Sequence, residues 1–111
     1  MPTPHLTEYG ATVTPNAVTG TFGTTGQSAA FVPAVGRGFN ISLWGAFAGT
    51  VQLQRSFDNG VTLLPLTANG AAVETFTAPC SEQWQDDEVG VQYFLVCTAF
   101  TSGTINYRIS Q

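Results

Sequence analysis

Lysine is absent from this sequence, and charged residues of any kind make up only 9% of it. Three arginines, Arg37, Arg55 and Arg108, stand against seven carboxylates and leave a net charge of −4. That is too little positive charge to neutralise a run of phosphates, so no nucleic acid is expected as a partner. Without lysine there is no Schiff-base amine and no phosphate-loop ammonium, and the glycines form no dinucleotide fingerprint, so no cofactor is expected. Histidine occurs once, as His5, in a polar start that would not hold it in a working geometry. A hydrolytic triad therefore lacks its base, and no enzymatic activity is expected. No run of about 20 apolar residues exists, which removes a membrane-spanning helix, and no membrane partner is expected. The start Met1-Pro2-Thr3-Pro4-His5 has neither a basic nor an apolar signal region, which predicts a protein that stays in the cytoplasm of the cell that makes it.

Cysteine is scarce as well. Cys80 and Cys97 alone make neither a disulfide framework nor a four-ligand zinc site, and no metal is expected. Cys97 lies in the apolar run Val91-Gln92-Tyr93-Phe94-Leu95-Val96-Cys97 and reads as a small buried hydrophobe, whereas Cys80 follows a proline in an expected loop. A reducing compartment favours two free thiols over a bridge between them.

What is present suffices for one folded domain. The chain has 111 residues, 43% hydrophobic and 12% aromatic, enough for a single core. Sixteen threonines, 12 glycines and seven glutamines supply a mostly neutral surface. From Phe31 onward, short alternating runs are separated by turn signals and no helical period appears, so the fold class is all-β. Alternation places Phe39, Ile41 and Leu43 on an inner face and Asn40, Ser42 and Trp44 outside. The next run points Val51, Leu53 and Phe57 inward and Gln52, Gln54 and Ser56 outward. Arg55 has inward parity, which puts it near a strand end or beside a carboxylate such as Glu74.

Asp58-Asn59-Gly60 and Asn69-Gly70 are hairpin turns, and Pro65 marks residues 61–66 as an edge strand. A further strand is expected over 71–77. Residues 78–90 read as the one long loop, and 91–100 as a central strand buried on both sides. In the last strand Ile105, Tyr107 and Ile109 face in. The expectation is a jelly-roll-like antiparallel β-sandwich of roughly eight strands over residues 28–111, preceded by a flexible, extended arm over 1–27. Whether the apolar residues of 11–22 add strands to the sandwich is left open by their pattern.

Four of the seven carboxylates, Glu82, Asp86, Asp87 and Glu88, fall in the long loop with Trp84. Their commonest role is as solvated turn residues; weak calcium ligation or an intersubunit salt bridge, and then a pairing of one of them with Glu74 for glycoside cleavage, are the minor alternatives. Trp44, outward by parity, and Trp84, set among carboxylates, are candidate anchors of a protein interface, with Asp86, Asp87 and Glu88 as its charged rim; the alternatives are that Trp44 packs under the N-terminal segment and that Trp84 folds back onto the sandwich edge. An exposed tryptophan on a β-sandwich also suits a sugar ring. A carbohydrate-binding β-sandwich, or a tail-fibre or baseplate module, is the alternative function.

The segments "FNISLWG" (39–45), "GTVQLQRSFDNG" (49–60) and "GTINYRIS" (103–110) carry a resemblance. In strand and turn texture they are similar to the jelly-roll cement or staple (capsid decoration) proteins of short-tailed double-stranded DNA bacteriophages of the epsilon-fifteen type. The resemblance covers about two-thirds of the chain and brings no individual site residues with it. It implies a structural virion protein on the outer capsid surface that clamps neighbouring major capsid protein subunits and pairs with itself as a homodimer. A neutral surface with no lysine is consistent with faces covered in an assembly, since charge is depleted from interface cores.

Overall fold

The computed structural model describes residues 16–111 and, ahead of them, only a short ladder between β1 (His5–Leu6) and β2 (Thr12–Val13). Of the expected arm over 1–27, residues 1–4, 7–11 and 14–15 lie outside the described residues. Its boundary does not hold where it can be seen. Residues 17–22 form β3 (Ala17–Phe22), and β4 (Gly26–Gln27) follows; both are integral to the sandwich.

Nine further strands complete the fold: β5 (Gly38–Trp44), β6 (Phe47–Ser56), β7 (Leu64–Pro65), β8 (Thr67–Ala68), β9 (Ala71–Ala72), β10 (Thr75–Phe76), β11 (Cys80–Gln85), β12 (Gln92–Gly103) and β13 (Ile105–Ser110). One sheet has the order β11-β5-β13-β3 and the other the order β10-β6-β12-β4, with β7 also on β6. All of these pairings are antiparallel. The successive pairs β3–β4, β5–β6, β10–β11 and β12–β13 each step from one sheet to the other. The protein is an all-β antiparallel sandwich.

Period-two alternation builds the core. β5 contributes Phe39, Ile41 and Leu43, and β13 contributes Ile105, Tyr107 and Ile109; Val51 and Leu53 of β6 and Tyr93, Leu95 and Cys97 of β12 meet them from the other sheet. Each large apolar side chain so buried contributes about 1.5–3 kcal/mol. Phe31, Phe39 and Tyr93 form an aromatic chain across the gap, with ring centroids 5.3 and 4.9 Å apart. Cys97 is buried as expected, and both cysteines are free.

Only the first half of β12 is buried on both sides, for two different reasons; Thr98, Ala99 and residues 101–103 are exposed. Tyr93, Leu95 and Cys97 enter the core, while Phe94, of opposite parity, is covered by the turn after β6. Gly60 makes that cover possible: its φ is +89°, and a Cβ there would lie 2.9 Å from the Phe94 ring. The turn also explains a failed alternation. The Ser56 hydroxyl donates to Asp58 Oδ1 (2.8 Å) and accepts from the Gly60 amide (2.8 Å), so Ser56 is fully buried while Phe57 is turned out and half exposed. Gln54, also expected outside, is buried on the covered face and donates to Gln52 (2.8 Å).

The expected strand over 61–66 shrinks to β7, at the edge where Pro65 needs no partner for a missing amide. That over 71–77 breaks into β9 and β10 at Glu74, whose φ is +50°. Asn69-Gly70 makes the two-residue hairpin between β8 and β9, both residues at positive φ. The largest correction concerns residues 78–90. They are not one long loop, because β11 pairs along its whole length with β5.

Candidate functional site

Strand directions bring three loops to one end of the sandwich. β5 starts there and β6 ends there, with Gly38 opposite Gln85 and Ser56 opposite Gln92. Residues 28–37, 57–63 and 86–91 therefore converge. Backbone bonds tie them together: Phe31 and Tyr93 exchange both amide–carbonyl bonds (2.9 and 2.8 Å), and the Gly36 amide donates to the Asp86 carbonyl (3.1 Å). Side chains complete the lacing, as the Asn59 amide donates to Gln92 Oε1 (2.9 Å) and the Ala34 amide to Gln111 Oε1 (2.7 Å).

A polar network lies beneath them. Arg55 is opposite Tyr93 on the central strand pair, so its inward parity carries the guanidinium to the rim of the core. There Nη2 meets Asp86 Oδ2 at 2.8 Å and Glu88 Oε1 at 3.6 Å. The Tyr93 hydroxyl donates to Asp86 Oδ2 (2.6 Å) and accepts from Trp84 Nε1 (3.1 Å), and the Glu88 amide donates to Asp86 Oδ1 (2.8 Å). Arg55 also sits 5.2 Å from the Phe57 ring centroid, close enough for a cation–π contact.

The electrostatics follow from these partners. Burial pushes the Asp86 carboxyl up, but the Tyr93 hydroxyl, the Glu88 amide and Arg55 outweigh it and hold the group below its ordinary value. Burial and donation to Asp86 drive the Tyr93 phenol well above its usual range, so it remains a donor. With its lone pairs taken by these donors, Asp86 fixes the loop rather than offering itself to a ligand. Glu74 has a different environment: burial first, then the Glu82 charge, raises its carboxyl. The carboxylate that Glu74 feels is thus Glu82, while Arg55 pairs with Asp86 and Glu88 and not with Glu74. Among the described residues no three His, Cys, Asp or Glu side chains gather as a metal site.

The five candidate interface residues do not form one patch. Trp44, half exposed on the outer face of its sheet, is at the opposite end, its carbonyl taking a bond from Asn106 Nδ2 (3.2 Å). Trp84 and Asp86 belong to the network; Trp84 packs against the core from β11 and is no free anchor. Asp87 and Glu88 are exposed at the loop surface. Sequence reasoning missed Tyr93 as the hub. The available signal was a phenol within an apolar run, since a buried tyrosine hydroxyl needs a partner. Set beside known protein families, curated proteins and solved structures, the chain matches none.

Proposed function

We propose that this protein is a structural virion component that decorates the outside of a phage capsid and clamps neighbouring major capsid protein subunits. The observation that carries the reading is where the phage-like segments fall. "FNISLWG" lies on β5, "GTVQLQRSFDNG" on β6 and its turn, and "GTINYRIS" on β13; together they supply most of the core face of one sheet, with Val51 and Leu53 from the other. The facing orders β3-β13-β5-β11 and β4-β12-β6-β10 support reading the sandwich as a jelly roll of four nested strand pairs, the fold that the resemblance implies. The test is to add the purified protein to shells assembled from the major capsid protein alone. Saturable co-sedimentation and a higher melting temperature of the shell are expected; shells that neither bind it nor gain stability refute the reading.

A carbohydrate-binding function is the second reading, favoured by Trp44. Its half-exposed indole stands on a sheet face whose neighbours Ser42, Asn106 and Thr21 are neutral hydrogen-bonding residues. That reading requires binding on a glycan array that Trp44→Ala removes.

A further inference from the structure

We propose that the three-loop end of the sandwich is a docking surface for a protein patch in which arginine or lysine side chains stand among apolar ones. The inference rests on the decoration reading, in which that patch belongs to the capsid subunit. Seven large apolar side chains are exposed among the described residues, and six of them, Val32, Val35, Phe57, Val61, Leu64 and Val89, lie on or beside these loops. The seventh, Trp44, is at the other end. Single exposed apolar residues are ordinary, but six gathered at one end mark a contact surface. Val61 and Val89 are 86% and 81% exposed, so they stand almost free of the described residues around them.

Charge selects the partner. Asp58, Asp87 and Glu88 stand exposed among these side chains against one exposed cation, Arg37, whereas Arg55 is engaged by Asp86 and Glu88. The Thr62 amide and hydroxyl and the Ser56 hydroxyl hold Asp58 below its ordinary value, so it stays ionised. Two copies meeting through this end would press like charges together, and an anionic lipid surface would be repelled in the same way. A cationic protein surface is attracted, and the apolar side chains then gain by leaving water. A groove of about 460 Å³ opens beside Leu64, Pro65 and Asp87, with the Arg55–Asp86 pair in its wall. The hydrogen bonds that lace the loops leave little to order on contact, which favours affinity.

The experiment compares the full-length protein with Val61→Ser/Val89→Ser, with Asp87→Lys/Glu88→Lys and with Trp44→Ala in binding to shells assembled from the major capsid protein alone. All four substituted loop residues are exposed, so far-ultraviolet circular dichroism should be unchanged, and only the charge-reversed variant, which loses the 3.6 Å contact of Glu88 with Arg55, should melt slightly lower. Both loop variants should bind about tenfold or more weakly, and Trp44→Ala should bind as the parent does. Binding of the parent should weaken between about 50 and about 500 mM salt, and that of the charge-reversed variant should not. If the parent binds and both loop variants bind equally well, docking is elsewhere and this inference falls while the decoration reading stands. If the parent does not bind the shells, both fall together.

Discussion

Asp86 and Glu74 are partly buried carboxylates that their surroundings drive in opposite directions. Asp86 gains three kinds of donor and is held low, so its contribution to stability is present above the unfolded carboxylate value of about 4 and is lost as pH falls through its lower folded value. Glu74 gains only burial and a neighbouring charge, and one of its oxygens is buried without a partner. Its contribution is present below about pH 4 and is lost as pH rises through its raised folded value. Melting curves over a pH series should therefore separate two variants. Asp86→Asn should cost roughly 1–3 kcal/mol at neutral pH, where it strips Arg55 of its nearest anion, with the difference closing in acid. Glu74→Gln should melt above the parent at neutral pH, and that gain should vanish in acid. Parallel curves for either variant would show that its carboxylate does not titrate differently in the two states. Arg55 shows what could be read at this scale. Its inward parity and need of a carboxylate were legible in the alternation, but the partner was not, because Asp86 reaches it only after β11 has brought the loop back across the sheet.

At the scale of elements, strands with one clean apolar face were the legible ones. β5 and β13 alternate without fault, and every inward residue expected in them is in the core. β11 was missed because it is an edge strand with Ser81, Glu82, Gln83 and Gln85 exposed; only Cys80 and Trp84 pack inward, too few to signal alternation. β3 is the other edge of the same sheet and has the same defect, since Thr19, Gly20 and Thr21 separate Val18 from Phe22. Edge strands are nonetheless structural. β3 pairs with β13 over six residues, and Phe22 stacks on Tyr107 with centroids 4.7 Å apart. A chain starting at Ser28 would lose β3 and β4, bare that ladder and empty the Phe22 site. Removing a buried phenylalanine alone costs about 3–5 kcal/mol, against a total stability of roughly 5–15 kcal/mol for a domain. The truncated chain should lose its cooperative melting transition and its sheet circular dichroism; retention of both would show that the sandwich closes without β3.

Across the whole molecule, charge and core packing are placed at different sites. Of the nine charged residues described, six are in or at the edge of the three-loop end, Arg37, Arg55, Asp58, Asp86, Asp87 and Glu88, while the sandwich between the ends is almost neutral. None of this asymmetry was visible in the net charge, because it arises from strand direction. The antiparallel sandwich was legible from turn spacing, with roughly eight strands expected against nine in the two sheets, but which loops share an end depends on strand order, which turn spacing does not encode.

The same topology dictates how the protein unfolds. Each sheet offers one inner face, and Phe39 of one touches Tyr93 of the other, so neither sheet retains a core without its partner. The loop end is tied to that core through Tyr93, whose ring is buried between the sheets while its hydroxyl holds Asp86 and Trp84. Opening of the loops and separation of the sheets should then be one event, as in most single domains below about 150 residues. Trp84 reports on the loop end and far-ultraviolet circular dichroism on the sheets. With Trp44→Phe removing the exposed emitter, fluorescence from Trp84 and the dichroism signal should trace the same denaturant transition, with one midpoint and one slope. A fluorescence transition at lower denaturant would mean that the three loops open while the sandwich stands, and that the docking end is a separately folding unit and not an extension of the core.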